Sequence, residues 1–449
     1  MKPLIKVYNS LTNNIEEFKP IKENEISMYV CGPTVYNDIH IGNGRPVIFF
    51  DVVKRFFEYL GYKVTMVENF TDIDDKIIKK ALEENVSEKE ISERYIKAFL
   101  DVCDKAGCEN DVIHPKVTEN IPEILSFIDE LVNNGNAYIS GDDVYFRVRS
   151  VPSYGILSNQ RLDELDTGAR IDVNSQKEDP CDFTLWKKTS DTGRKWDSKF
   201  GAGRPGWHTE CVVMIHKILG DKIDIHGGGI DIKFPHHENE IAQSMALYHN
   251  TIANYWIHNG RIDLKGEKMS KSLGNVVWVK DVLASYPYQA YRLFILANHY
   301  RQNVSYSNEL LQNMTNEWQK LRKAYVSLYR KLELKNKLVM SKANSEEIEN
   351  FIKEMCYDFN TANALSTIYE CVKKINKSLR DPNCDDEVLQ SELNTLHDMF
   401  EIFGLDPEIK ALTADEIKLV NDWNEARKNK NFEMADSLRT KINDMGIEL

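Results

Sequence analysis

Short apolar runs alternate with glycine and proline breaks in the first part of the chain. Residues 26–31 (ISMYVC) form one such run before a Gly-Pro pair, which predicts a buried strand. Residues 46–60 are strongly apolar over a helical length, and residues 63–70 (KVTMVENF) are rich in β-branched side chains. A strand, a helix and a second strand at this spacing predict a βαβ unit and hence a parallel sheet.

Further elements follow from the same pattern. Thr71-Asp72 is predicted to cap the next helix. Polar turns dominate residues 142–200, which predicts an insertion, and residues 221–231 (DKIDIHGGGID) predict a strand followed by a glycine turn. From about residue 307 the chain is predicted to be helical and highly charged.

Composition narrows the class of protein. The chain has 449 residues, enough for roughly three domains, and its 42% hydrophobic and 28% charged residues are ordinary for a globular protein. No run reaches the ~18 apolar residues of a membrane span, and the N-terminus lacks a signal-peptide pattern, so we expect a cytoplasmic protein. A net charge of −13 alone argues against a dedicated nucleic-acid binder. The eight scattered cysteines lack a CxxC pair, so we expect reduced thiols.

A first candidate site is His40-Ile41-Gly42-Asn43, at the predicted entry to the first helix. Free N–H groups and the helix dipole make such a position an anion site, and Gly42 lets a flat base approach the backbone. His40 and Asn43 can donate hydrogen bonds to phosphate oxygens. Taken alone, a helix-capping turn is the simpler interpretation.

A second candidate is GEKMSKSLGN, residues 266–275, which carries Lys268 and Lys271 between glycines and serines. Two flexible ammonium groups suit a transferring triphosphate, because negative charge grows on the departing diphosphate. The loop is not a Walker motif. A solvated basic loop is the alternative, but the two candidates together are more specific than either alone.

A third candidate combines metal-type side chains. GRPGWHTEC contributes Trp207, His208 and Cys211, and FPHHENE contributes His236, His237, Glu238 and Glu240. With Pro235 at the first helical position, His236 and Glu240 share one helix face, where the helix N-terminus disfavours a protonated imidazole. Together with Cys211 and Cys31 they would complete a tetrahedral zinc site. A pairing of His237 with Glu240, and a set of buried core side chains without metal, both remain open at this point.

These motifs resemble a known family. YVCGPTVYNDIHIGNGRP, NFTDIDDKII, GRPGWHTEC, DIHGGGIDIKFPHHENEIAQS and GEKMSKSLGN are similar to segments of the cysteinyl-tRNA synthetases, class I aminoacyl-tRNA synthetases with paired HIGH and KMSKS motifs. The similarity runs from about residue 3 to the end of the chain. Asn43 stands where most class I enzymes have histidine, which is typical of the cysteinyl branch.

The resemblance implies an α/β fold, with a Rossmann-like parallel-sheet catalytic domain, an inserted connective subdomain, and α-helical domains on the anticodon side. The implied parts are the first catalytic half (1–135), the connective insertion (136–200), the second catalytic half (201–265), the KMSKS subdomain (266–306), a helical bundle (307–403) and a small C-terminal unit (404–449). Family members usually continue with a short tail containing an aromatic residue, whereas this sequence stops at Leu449, so the anticodon-reading residues stay open.

The resemblance also implies chemistry. A chain of this family would activate L-cysteine with ATP and Mg²⁺ to cysteinyl-adenylate and transfer it to the terminal adenosine of tRNA(Cys). One Zn²⁺ would be held by Cys31, Cys211, His236 and Glu240. ATP would be held by His40, Gly42, Asn43, Lys268 and Lys271, of which all but Gly42 would act catalytically. Cysteine would contact Thr34, Thr71, Trp207 and Asp231, with His208 and His226 supporting the pocket.

The zinc site fits the task of rejecting serine. An ordinary pocket discriminates between similar side chains by only about 10–200-fold, whereas zinc favours a thiolate over a hydroxyl. We expect a monomer without membrane contact. A cysteine ligase that acts on a small amino-sugar thiol precursor, and a non-catalytic RNA-binding relative, are the alternatives. A long helical C-terminal region, with eight basic residues against one acidic residue over 320–342, argues against the first alternative. The intact motif residues argue against the second.

Overall fold

The structure is a computed structural model that describes residues 2–162, 176–189, 193–264 and 276–449, together with the backbone of 267–268. The chain forms two compact units. The first comprises residues 1–285, 300–307 and 357–359, and the second comprises residues 286–299, 308–356 and 360–449.

The strands and helices are as follows. The strands are β1 (Lys6–Asn9), β2 (Asn14–Glu17), β3 (Glu25–Val30), β4 (Lys63–Glu68), β5 (Ala137–Ser140), β6 (Asp143–Phe146), β7 (Phe183–Lys188), β8 (Gly203–Pro205), β9 (Ile223–Gly229), β10 (Ala253–Asn259), β11 (Ile262–Leu264), β12 (Glu267–Lys268) and β13 (Val304–Tyr306). The helices of the first unit are α1 (Ile41–Tyr59), α2 (Asp75–Glu84), α3 (Glu88–Lys105), α4 (Ile121–Asn133), α5 (Trp207–Leu219), α6 (Glu238–Tyr248) and α7 (Val279–Ser285). Those of the second are α8 (Tyr288–Leu296), α9 (Asn308–Leu334), α10 (Glu346–Met355), α11 (Thr361–Arg380), α12 (Asp386–Phe403), α13 (Ala414–Lys428) and α14 (Phe432–Asp444).

A four-stranded parallel sheet in the order β10-β9-β3-β4 forms the centre of the first unit. The chain proceeds from β3 outward to β4, and later from β9 outward to β10, so the strand order reverses between β3 and β9. Ligands of such sheets bind at this switch point, beyond the carboxyl ends of the strands. The predicted βαβ unit and parallel sheet are therefore confirmed.

The helix that follows β3 begins at the predicted His40–Asn43 entry, ahead of the apolar run that starts at Pro46. α1 starts at Ile41, and His40 is its N-cap, with Nδ1 accepting a hydrogen bond from the backbone N–H of Asn43 at 3.2 Å. Pro46 lies inside the helix and not at its start. The apolar run marked only the part of the helix that packs in the core, because its polar first turn faces a cavity.

The predicted cap at Thr71-Asp72 is wrong. α2 is capped by Asp74, which accepts a hydrogen bond from the backbone N–H of Lys76 at 2.8 Å. Asp72 instead accepts hydrogen bonds from the backbone N–H and the hydroxyl of Thr118, at 3.0 and 2.6 Å. Thr71 donates to the buried Glu210. Both side chains that could have capped the helix thus form hydrogen bonds with residues distant in sequence instead.

The predicted glycine turn after residue 226 is also wrong, because β9 continues through Gly227, Gly228 and Gly229. A Cβ added at Gly227 would lie 2.1 Å from Cζ of Phe50 on α1. The glycine therefore allows the aromatic ring to pack directly against the strand.

The inserted region forms a sheet of its own, antiparallel in the order β5-β6-β7-β8. This agrees with an insertion between two halves of the parallel sheet. The second unit is helical in its described residues, as predicted for the chain after residue 307. The six domain boundaries given above stay a prediction. Within the part of the chain that the structure describes, no helix has the length and apolar character needed to span a membrane.

Candidate active site and metal centre

A cavity of about 460 Å³ opens at the carboxyl ends of β3, β4 and β9, at the switch point of the parallel sheet. Cys31 directly follows β3, Glu68 ends β4, and Asp231 follows β9. All three residues line the cavity. The sheet topology therefore gathers residues from distant parts of the chain at one site.

The first turn of α1 forms another part of the cavity wall, through His40, Gly42 and Asn43. These residues come from the predicted anion site, and the helix N-terminus supplies free backbone N–H groups there. Lys271 of the second predicted motif lies outside the described residues. For Lys268 only the backbone is described, paired with Asp263 across β12 and β11.

Four metal-type side chains converge beside this cavity. The sulfur atoms of Cys31 and Cys211 are 3.7 Å apart, and Oε1 of Glu240 lies 3.6 Å from the Cys31 sulfur. Nε2 of His236 lies 3.7 Å from the Cys211 sulfur and 3.0 Å from Oε1 of Glu240. Each residue thus directs one donor atom toward a common centre, with all four atoms within 4.8 Å of one another.

The donor set fits a tetrahedral metal ion. Zinc bonds of about 2.3 Å to sulfur and about 2.0–2.2 Å to nitrogen or oxygen give donor separations of about 3.3–3.8 Å in a tetrahedron. The observed separations of 3.0–3.7 Å lie near this range. Two thiols, an imidazole and a carboxylate are also typical zinc ligands.

A second group shares two of these residues. Cys31, His226, His237 and Glu240 also place one donor atom each within 4.8 Å of one another. His237 points Nε2 at the Cys31 sulfur, 3.3 Å away, and its Nδ1 lies 2.9 Å from Nε2 of His258. The alternative pairing of His237 with Glu240 is thus compatible with the positions of these atoms.

Hydrogen bonds hold the imidazole of His236 in place. Nδ1 of His236 lies 3.1 Å from Nδ1 of His208, and the indole of Trp207 stacks on the His236 ring at 4.2 Å. Burial lowers the pKa of His208 to about 3, so His208 is neutral, and its Nδ1 can accept this bond from His236, whose pKa is raised. Nε2 of His236 is therefore the nitrogen that faces the cluster.

Electrostatics within the cluster favour the charged forms of Cys211, His236 and Glu240. The hydrogen bond from Cys31 lowers the pKa of Cys211 to about 6, against the opposing effect of burial. Burial lowers the pKa of His236, but Glu240 and Cys211 outweigh burial and raise it to about 10. The anionic neighbours of His236 thus favour its protonated form more strongly than burial disfavours it.

The chain matches known sequences along nearly its whole length. Residues 17–316 match the family described as tRNA synthetases class I (C) catalytic domain, and residues 350–406 match the DALR domain. A cysteine–tRNA ligase of Anoxybacillus flavithermus is 46% identical, over 99% of this chain and 97% of the relative. That of Acholeplasma laidlawii is 46% identical, over 99% of this chain and 100% of the relative.

The chain belongs to the cysteine–tRNA ligase family. The match includes the helical C-terminal half, so the amino-sugar alternative is not favoured.

Solved structures agree on the fold. The methionyl-tRNA synthetase of Mycobacterium tuberculosis with methionyl-adenylate has a TM-score of 0.61 at 14% identity, covering 89% of this chain and 93% of that chain. A LeuRS–tRNA complex from Agrobacterium radiobacter K84 has a TM-score of 0.62 at 10% identity, covering 88% of each chain.

In this member of the cysteine–tRNA ligase family, the residues predicted to contact the substrate cysteine lie either on the cavity wall or directly behind it. Thr34, Trp207 and Asp231 line the cavity. Thr71 lies behind Thr34, with which it forms a parallel β-bridge, and its hydroxyl donates to Oε2 of Glu210 at 2.9 Å. Thr71 is thus placed to position the cavity wall from beneath.

Two carboxyl groups of this site were missed by the sequence analysis. Glu210 is buried below Thr71, and Glu68 lines the cavity at the end of β4. Burial raises the pKa of Glu68 to about 8. The signal for Glu68 was a charged residue at the end of an apolar strand, which points to the carboxyl end of the sheet. Glu210 carried no signal, because a glutamate in the first turn of a helix is ordinary.

Proposed function

We propose that the chain attaches L-cysteine to tRNA(Cys). ATP would first convert cysteine to cysteinyl-adenylate with release of diphosphate, and the cysteinyl group would then pass to the 3′-terminal adenosine of the tRNA. The observation that carries this proposal is the shared cavity. Cys31, from the metal-type cluster, and His40 to Asn43, at the start of α1, line the same space, so a thiol-selecting centre adjoins an anion site.

Zinc is the proposed metal, one ion per chain, with Cys31, Cys211, His236 and Glu240 as its ligands. This set is preferred over the second group because it contains two sulfur donors, and because Oε2 of Glu240 is already bound by His226. When bound, zinc would lower the pKa of the substrate thiol and favour a thiolate over the hydroxyl of serine. Selection of cysteine would then need no editing site.

ATP with Mg²⁺ is assigned to the start of α1 and to the KMSKS motif. His40, Gly42 and Asn43 would hold the nucleotide, since the free N–H groups of the helix terminus favour phosphate oxygens. Lys268 and Lys271 would stabilise the charge that develops on the departing diphosphate. His40, Asn43, Lys268 and Lys271 are therefore the proposed catalytic residues.

The amino acid itself is assigned to the cavity wall beside the metal cluster. Asp231 is the proposed partner of the cysteine ammonium group, because a carboxylate lining this space pairs best with a cation. Trp207, stacked on His236, would close the pocket over the side chain. Thr34 would contact the substrate directly, and Thr71 would act through the backbone that it supports.

Binding of the tRNA is assigned to the C-terminal helices. Basic side chains on and between α13 and α14 are exposed, as phosphate contacts require; they are Arg427, Lys428, Lys430, Arg439 and Lys441. We further propose that the protein acts as a cytoplasmic monomer without membrane contact.

An assay with purified protein, cysteine, ATP and a tRNA(Cys) transcript tests the proposal. We expect both cysteine-dependent exchange of diphosphate into ATP and formation of cysteinyl-tRNA, with serine used at least about 10⁴-fold less efficiently. Exchange without tRNA charging would contradict the tRNA ligase assignment. A serine-to-cysteine ratio within the range of an ordinary pocket would contradict selection by metal.

A further inference from the structure

The thiols of Cys103 and Cys108 form a second pair of cysteines, separate from the metal cluster. Cys103 lies in the last turn of α3, and Cys108 follows the end of that helix. Both are partly exposed, so reagents in solution can reach them.

The end of α3 has the hydrogen bonds of a Schellman motif. The backbone N–H of Cys108 donates to the carbonyl of Cys103 at 3.0 Å, and that of Gly107 donates to the carbonyl of Asp104 at 3.0 Å. Gly107 has a φ of +69°, the left-handed conformation that this motif requires. As is frequent for the equivalent positions of this motif, the side chains of Cys103 and Cys108 are in contact, joined by a hydrogen bond between the two thiols.

The surroundings distinguish the two sulfurs. Hydrogen bonding to Cys108 and burial raise the pKa of Cys103, so Cys103 retains its proton. The guanidinium of Arg55 on α1 donates to the carbonyl of Gly107 at 3.0 Å, next to Cys108. Other charged groups around the pair include Asp51, Lys54, Glu68 and Glu109. Asp51 binds Arg55 at 2.9 Å, and Glu109 binds Lys54 at 2.6 Å.

We propose that Cys103 and Cys108 form a reversible intrachain disulfide on exposure to hydroperoxides. The Cys108 thiolate attacks the hydroperoxide, the O–O bond breaks, and the departing alkoxide or hydroxide takes a proton from solvent and leaves as an alcohol or water, giving a sulfenic acid. The Cys103 sulfur then attacks the Cys108 sulfur. An S–S bond forms, the S–O bond breaks, and water leaves with the thiol proton. Two thiols are oxidised by two electrons and one peroxide is reduced.

The location connects this pair to the catalytic unit. Phe99, one turn earlier on α3, lines the catalytic cavity. Arg55 belongs to α1, the helix whose first turn forms the predicted anion site. The disulfide would therefore join two backbone positions where α3 ends against α1.

Peptide mapping tests the proposal directly. The full-length protein is treated with hydrogen peroxide, quenched with catalase, alkylated with N-ethylmaleimide and digested with trypsin. Trypsin cleaves after Lys105, so a disulfide joins the peptides 98–105 and 106–116, with a mass two hydrogens below their sum. We expect this linked pair to form with loss of both alkylated peptides, and dithiothreitol to restore them. Alkylation of both cysteines at a peroxide dose that oxidises Cys384 would overturn the proposal.

Serine variants test the order of the two steps. In Cys103→Ser, we expect Cys108 to accumulate as a sulfenic acid that dimedone traps. In Cys108→Ser, oxidation of Cys103 should slow by about tenfold or more, because the attacking thiolate is missing. Cys384→Ser serves as the control and should form the linked pair as the wild type does. Oxidation of Cys103 at the wild-type rate in Cys108→Ser would contradict the assignment of Cys108 as the first sulfur to react.

Discussion

Nε2 of His226 lies 2.7 Å from Oε2 of Glu240, and both side chains are fully buried. A carboxylate only accepts hydrogen bonds, so His226 is the donor. This bond engages one carboxylate oxygen and leaves Oε1 beside His236 and Cys31. His226 thus orients Glu240 for the proposed metal, in the manner of outer-shell partners of metal ligands.

Replacement of His226 should therefore lower the free energy of unfolding even when no metal is bound. His226→Leu leaves a buried carboxylate oxygen without its donor, which costs about 2–3 kcal/mol of unfolding free energy. Urea denaturation of chelator-treated protein measures this loss. His226→Gln retains an N–H donor and should recover part of the stability. Equal stability of His226→Leu and wild type would show that the bond does not orient Glu240.

Loss of a proposed metal ligand should abolish zinc binding and cysteine activation together. Removing outer-shell partners costs about 10–100-fold in metal affinity, so we expect Cys211→Ser and His236→Ala to lose at least about 100-fold. Elemental analysis after dialysis gives zinc per chain, and diphosphate exchange gives activation. Cys371→Ser, a buried cysteine of the helical unit, is the matched control and should keep one zinc. An active wild-type protein without zinc would refute the assignment.

The buried carboxyl of Glu68 should make stability depend on pH. Its pKa is about 8 in the folded protein, above the ordinary value of 4.5, because burial disfavours the charged form. Between these values the folded protein holds a proton that the unfolded chain has released. Stability therefore falls as pH rises through this window, by at most roughly 1.4 kcal/mol per pH unit from this group.

Glu68→Gln removes that dependence, because the amide stays neutral. We expect the advantage of the variant over wild type, measured by thermal unfolding, to be small at pH 5 and to grow toward pH 8. Glu23→Gln, which alters an exposed carboxylate, should show no such trend. A difference between Glu68→Gln and wild type that stays constant with pH would mean that Glu68 is charged in the folded protein.

Lys271→Ala should chiefly lower the rate of cysteine-dependent diphosphate exchange. Removing one group that stabilises transition-state charge costs about 10²–10³-fold in kcat. Zinc content should be unchanged, since the metal centre uses other residues. Lys353→Ala, which alters an exposed lysine of α10, is the control and should exchange normally. Normal exchange in Lys271→Ala would exclude the proposed role.

Much of the catalytic unit was predictable from local patterns. β3 and β4 follow directly from apolar runs of strand length, and the strand–helix–strand spacing requires a parallel sheet. The apolar run alone placed the start of α1 too late, because the first turn is polar and faces the cavity, whereas the His40–Asn43 motif placed it correctly. Thr71 does not cap α2, because its hydroxyl donates a hydrogen bond to Glu210, which lies 139 positions away along the chain.

The sequence by itself determined the types of side chain available to the site and the elements that carry them, since turns, caps and periodicity act over a few residues. Tertiary structure alone decided how those elements meet. Packing within the first unit places Cys31, after β3, and Cys211, on α5, with their sulfur atoms 3.7 Å apart although the residues are 180 positions apart in sequence. Tertiary structure also decided that both His236 and His237 contact the cluster. The ring of His236 is held by His208, and the ring of His237 is held by His258. Contacts between distant segments depend on packing of the whole sheet, which no local pattern encodes.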